Sequence, residues 1–337
     1  MPPAKRMKTA TVREEKLPPD ATTGIGLLTT IRHETISLDL PASCSDNNTW
    51  HGVFLPTIAH AAGGENIDPW FIDDNSLITI LLKAWRVVYA GKPSLKHCID
   101  AVFHASKRAL YRWRAGFGSA AMMMTTNVMS SNPAAFLTYE QRSAFAKYYL
   151  YKNRFLFKND SSNDKKFGKA GLPVEWTGMW QSPSILQIFA AHLDYTRGRV
   201  SVEALGSEEQ LSRVALALSA AAVKRTLRLL STGEMSFEVT TAVAKGKKKV
   251  IRKSETQASN SDLWKVMISN NEDFSESLWG YDSRMFLTAI NRIPAENMLE
   301  IEKSAEPFMA TATDHTEINS VDDIDIDAEY VDLLNFR

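Results

Sequence analysis

His97, Asp100 and His104 recur at steps of three and four residues. At about 100° of rotation per residue they fall on one polar side of a helix, so imidazole and carboxylate donors for zinc or iron can be drawn there. A closed site needs a further strong ligand from elsewhere, and Cys98 points to the apolar side of the same helix. Solvated polar residues opposite a core stripe are the expectation, with no metal. Residues 116–121, GFGSAA, fit the loose dinucleotide fingerprint, whose glycines let backbone approach a pyrophosphate. That fingerprint follows a buried strand. Here the preceding segment is a basic amphipathic helix with no suitable acid downstream, which predicts a break between two packed helices instead. No phosphate-cradling Gly-Lys-Ser/Thr loop and no Gly-x-Ser-x-Gly elbow occur, and His33, His51, His60 and His192 stand alone in sequence. No catalytic residue and no cofactor is assigned. The chain reads as a non-enzyme, with a site assembled only in three dimensions as the open alternative.

Cations offer a different chemistry. Lys92, Lys96, Lys107, Arg108, Arg112 and Arg114 outweigh Asp100 along one predicted helix, with Tyr111 and Trp113 interleaved. Such a helix can lie on phosphates. Its cations also straddle an apolar stripe, as snorkelling side chains around a buried face do. A second basic run, Lys245 to Lys253, holds Lys247, Lys248 and Lys249 in a predicted loop. The candidate nucleic-acid contacts are therefore Lys107, Arg108, Arg112, Arg114, Lys247, Lys248 and Lys249. With no base-reading motif, the binding expected of them is weak and nonspecific.

The formal net charge of zero over 337 residues is a sum of opposed blocks. Pro3-Ala4-Lys5-Arg6-Met7-Lys8 resembles the short importin-bound signals of the Pro-x-x-Lys-Arg-x-Lys type, in which spaced cations meet acidic, tryptophan-lined pockets. Lys5, Arg6 and Lys8 would meet a nuclear import receptor; a plain solubilising tail is the alternative. From Asp314 to Arg337, acids alternate with apolar residues. Tyr330, Val331, Leu333, Leu334 and Phe336 form a candidate partner motif that a protein groove could take up as a short helix. The alternative is an acidic tail that clings to the chain's own basic loop. Both ends have too few large apolar residues to offset chain entropy, which predicts disorder over 1–22 and 305–337. No window approaches the roughly 18 apolar residues of a membrane helix. With Cys44 and Cys98 as the two cysteines, a disulfide scaffold and a four-cysteine zinc site are excluded by count. The nucleus is the expected location, the cytoplasm the alternative.

Helices must position all of this. Residues 76–90 follow the capping candidates Asp74 and Asn75 and end at Gly91. From Ser94, apolar residues Leu95, Cys98, Val102, Leu110 and Trp113 follow one helical stripe. Thr138 and Gln141 fit a capping box for a helix running through Phe157, and Ser182-Pro183 starts another. A second capping box, Ser207 to Gln210, opens an alanine- and leucine-rich helix that closes near Gly233. It is apolar almost all round, so it belongs at the centre. Residues 235–243 can pair with 248–252 as one small β-hairpin. The fold class is all-α, a bundle-like helical domain over 70–304. An irregular segment over 23–69 precedes it, a disordered basic N-terminus lies before that, and a disordered acidic tail follows.

The helix Ala109 to Gly118, Phe155-Leu156-Phe157, the start Ser182-Pro183-Ser184-Ile185, and Leu216 to Val223 followed by Thr232-Gly233 are packing and capping positions. Together they resemble a fungal, mostly basidiomycete, family known as domain of unknown function 6532. The resemblance runs from about Trp70 to about Ile268. It implies a helical domain in a fungal protein, often beside nuclear-type basic segments, and carries no catalytic residue over. The lysine-rich insertion at Lys245 departs from the family's compact pattern. The expected function is a non-enzymatic nuclear interaction scaffold or regulator that binds an unknown protein partner through its acidic tail. The alternative is a nucleic-acid-binding module using the helix over 92–114 and the loop over 245–253.

Overall fold

The structure is a computed structural model that describes residues 40–44, 46–64, 67–159, 176–206, 210–239, 264–268 and 273–309. The import segment at Lys5 to Lys8, the loop at Lys247 to Lys249 and the tail motif from Tyr330 to Phe336 lie outside these residues. The described chain from Pro41 onward belongs to one compact unit. It contains α1 (Leu55–Gly63), α2 (Asp74–Val88), α3 (Ile99–Ser131), α4 (Tyr139–Leu150), α5 (Pro183–Tyr195), α6 (Arg213–Thr232), α7 (Glu276–Ile290) and α8 (Ala295–Ala305). Strands are short: β1 (Phe157–Asn159) pairs antiparallel with β2 (Thr177–Met179), and β3 (Met235–Val239) with β4 (Trp264–Ile268). The protein is all-α, with small antiparallel strand pairs at its margin.

Helix α6 is the axis. Val214 to Ala222 are buried without interruption, as its all-round apolar pattern predicts. It packs against α1, α3, α4, α5 and α7. At its C-terminus Gly233 adopts φ +82°, the left-handed angle that ends a helix without a Cβ clash. The exposed carbonyl of Ser231 is satisfied by α4, accepting from Tyr139 Oη at 3.1 Å and Ser143 Oγ at 2.9 Å. Near its N-terminus Arg213 is buried and donates to the carbonyls of Ile290 at 2.6 Å and Ile293 at 2.8 Å, where α7 ends. The helix opens one turn later than predicted. Ser212, not Ser207, precedes it, and the Gln210 side chain donates to the Ala61 carbonyl at 3.0 Å instead of closing a capping box.

Two other starts agree with their sequence signals, whereas α2 is capped by Asp73 instead of Asp74 or Asn75. Thr138 and Gln141 form the reciprocal capping box of α4, and Ser182 caps α5 ahead of Pro183. Four expectations are corrected. Part of the segment expected to be irregular is helix: a π turn over Trp50–Phe54 runs into α1, every residue of which is buried. No face of α1 is left to solvent. The expected break at Gly116-Phe117-Gly118 is absent, because α3 runs straight through it. Gly118 is a packing notch there: a Cβ would stand 2.7 Å from Cβ of Phe274. The β3 partner is Trp264–Ile268, not residues 248–252. Finally, α4 stops at Leu150 instead of reaching Phe157, since Lys152 and Asn153 both take left-handed angles, φ 52° and 56°. That reversal turns Phe155 and Leu156 into the core.

Candidate interaction surfaces

The predicted basic helix does not present its cations as one surface. Its helix begins at Ile99, so His97 falls in a preceding 3-10 turn and does not share a helical face with Asp100 and His104, both exposed. Cys98 at the junction has φ −133°, outside the helical range. Lys107 pairs with Asp74 at 2.8 Å. Arg114 turns inward, donating from Nε to the Pro69 carbonyl at 2.7 Å and lying over the Trp113 ring at 5.9 Å. Burial lowers its pKa to about 10, against the opposing pull of Asp68 and Glu276. Arg108 and Arg112 remain on the exposed side with Tyr111, which is 67% exposed. Among the described candidates for phosphate contact, Lys107 and Arg114 each make contacts within the fold.

Three features were not foreseen. The first is a buried histidine. His192 on α5 accepts a hydrogen bond at Nδ1 from Trp113 Nε1 at 3.2 Å, which places its own proton on Nε2. The ring stacks with Phe117 and Phe189 at 6.3 Å each. Burial, with His60 and Arg199 nearby, lowers its pKa to about 3, so the neutral ring is the stable form. A neutral imidazole sealed by aromatic rings is a core polar contact rather than a reacting base. Its partner Trp113 lies 79 residues away in sequence, so periodicity could not link them.

The second lies on α7. Trp279, Ser283, Phe286 and Ile290 face inward and are buried. On the opposite side Leu278, Tyr281 and Met285 are 48%, 75% and 52% exposed, spaced i, i+3 and i+7 along one stripe. Ion pairs border it. Arg284 makes a bidentate contact with Asp68, 2.6 Å from Nε and 3.0 Å from a terminal nitrogen, and a further close bond with Glu276. These bonds to Asp68 and Glu276 hold the guanidinium above its usual range. Burial pushes the Asp68 carboxyl up, but Arg284 and the amides of Trp70 and Phe71 outweigh it, leaving it below the ordinary carboxylate value. Lys224 and Asp282 pair at 2.7 Å on the same helix's other flank. An apolar stripe edged by satisfied charges has the anatomy of a protein contact surface: dry centre, polar rim. A period-3.6 search would have found α7's buried face. Nothing in the sequence marks the outer stripe as uncovered.

The third surrounds Arg154, just beyond the stop of α4. Its guanidinium carbon sits 3.7 Å from the Tyr148 ring centroid, 5.1 Å from Trp176 and 5.9 Å from Tyr151. Phe157 of β1 meets Trp176 at 5.2 Å. The left-handed pair Lys152 and Asn153 brings Arg154 back over Tyr148. At the far side of the hairpin, Gly178 and Trp180 take φ 67° and 69°. Trp180 is buried and packs edge-on to Phe286 at 5.8 Å, which holds this unusual angle for a bulky residue.

Searches of known protein families, curated proteins and solved structures match nothing to this chain.

Proposed function

We propose that this chain is a non-enzymatic nuclear interaction protein of the fungal helical family that its packing positions resemble. Its helical body serves as a scaffold for a partner protein. The observation that supports this best is the stripe Leu278, Tyr281 and Met285 on α7, exposed between ion pairs on a helix whose other face is locked into the core. A helix presented in this way suits an amphipathic partner helix laid along it. The acidic tail motif Tyr330 to Phe336 is proposed as a second contact to the same or another protein. Import is proposed through Lys5, Arg6 and Lys8 and an import receptor.

Tagged full-length chain, captured from nuclear extract beside Tyr281→Lys with Met285→Glu, tests the scaffold. Wild type is expected to retain a discrete partner set, and the double variant to lose it while keeping its helical circular dichroism and melting midpoint. An identical partner set from both proteins would count against the stripe. For import, residues 1–16 fused to a fluorescent protein too large for passive entry should concentrate in nuclei, and Lys5→Ala with Arg6→Ala should abolish this. Uniform cytosolic signal from the intact fusion would refute it.

A further inference from the structure

We propose that the surface around Arg154 binds single-stranded nucleic acid, with its aromatic rings stacking on unpaired bases and its cations lying along the phosphates. The inference stands apart from the α7 stripe and relocates nucleic-acid contact away from the helix the sequence favours.

Charge comes first. Lys147, Lys152, Arg154 and Lys158 fall within twelve positions, and Glu140 is the one acid between Tyr139 and Asn159. Glu140 sits at the opposite end of α4, about 15 Å away by helical rise. No carboxylate among the described residues pairs with any of these four cations. Lys107 and Arg114, by contrast, have partners in Asp74 and the Pro69 carbonyl. Arg154 Nε is buried with no hydrogen-bond partner, so its charge is held in place by ring faces rather than by an anion. Unneutralised cations on a fixed platform attract a polyanion and release its counterions on contact.

The rings then decide which polyanion. Tyr151 is 58% exposed and Tyr148 37%. Lys152 Nζ lies over the Tyr151 ring, 5.4 Å from its centroid, which places a cation directly against an exposed aromatic side chain. Arginine stacked on tyrosine gives a flat surface on which a base can continue the stack, as happens in single-strand recognition. In a duplex the base faces are already covered by neighbouring bases, so a shallow surface cannot reach them. An acidic peptide would use the cations and leave the rings idle. A single strand uses both.

Fluorescence polarisation of the full-length chain with labelled oligo(dT) and oligo(U) of about 12 nucleotides tests this at low salt. Binding is expected to both, and to a blunt duplex of the same length markedly less. Tyr151→Ala should weaken single-strand affinity about tenfold, while Tyr151→Phe retains it. Lys152→Gln with Lys158→Gln should reduce the slope of log affinity against log salt by about 0.7 for each phosphate no longer neutralised. Lys107→Gln with Arg108→Gln should leave both quantities unchanged. Tyr151 is exposed, so its truncation leaves the core intact, and an unchanged melting midpoint confirms folding. Absence of binding by wild type, equal affinity for duplex, or insensitivity to Tyr151→Ala would each overturn the proposal. Displacement by poly-glutamate together with that insensitivity would mark the surface as an acidic-peptide site instead.

Discussion

At His192 the native packing requires a neutral ring: Nδ1 is occupied as an acceptor by Trp113, and aromatic faces exclude water. Its folded pKa of about 3 lies below the roughly 6.5 of an unfolded histidine. A depressed histidine pKa costs nothing above the unfolded value. As pH falls below about 6.5 the unfolded chain takes up a proton that the folded one refuses, and stability drops by up to about 1.4 kcal/mol per pH unit until about pH 3. His192→Gln keeps an acceptor for Trp113 but does not titrate. Denaturant unfolding between about pH 7 and pH 5 should therefore show a shallower loss of stability in the variant, by close to one proton's worth. Equal slopes would show that His192 is not the buried titrating group. The histidine itself is visible in sequence, but its meaning comes from Trp113, Phe117 and Phe189 on two helices. The same holds for the contrast between Arg108 and Arg114: both are cations on the predicted basic helix, and only three-dimensional packing turns Arg114 to Pro69.

Two helix starts and the centrality of α6 were legible because they depend on local signals. Thr138 with Gln141, Ser182 with Pro183, and the unbroken apolar pattern of α6 each act within a few residues. Helix continuity was harder to read. Gly116-Phe117-Gly118 looks like a break, since glycine disfavours helix, yet α3 uses Gly118 to admit Phe274, whose Cβ would stand 2.7 Å from a Cβ at that position. Gly118→Ala sets two effects against each other. Helix propensity gains about 1 kcal/mol, and overpacking costs about 1 to 3 kcal/mol. The obstructing atom is Phe274 Cβ, fixed to the backbone and unable to swing away, and Phe274 is itself wedged on Trp70 at 5.0 Å. Overpacking should win, lowering unfolding free energy by up to about 2 kcal/mol in chemical denaturation. A midpoint at or above wild type would contradict the notch. The early stop of α4 has the opposite lesson: no proline or glycine marks it, and Asn153, which tolerates left-handed angles, is the one local hint.

Across the molecule, α6 ties five helices into one body, and the surfaces left over are unequal. On the face that sequence favoured for phosphates, Lys107 and Arg114 make internal contacts. The exposed stripe of α7 and the Arg154 platform arise where chain path, rather than composition, leaves apolar and cationic groups uncovered. Strand pairing shows the same limit, because β3 meets Trp264–Ile268, a partner distant in sequence that no local pattern encodes. The central claim is that α7 is a protein contact surface. Its most direct test replaces Tyr281 with a photo-crosslinking phenylalanine derivative in cells, with Arg108 replaced in parallel on the exposed side of α3. Irradiation should give a discrete higher-mass adduct from position 281 and none from position 108, and Met285→Glu should erase it. No adduct from position 281, or the same adduct from both positions, would contradict the account.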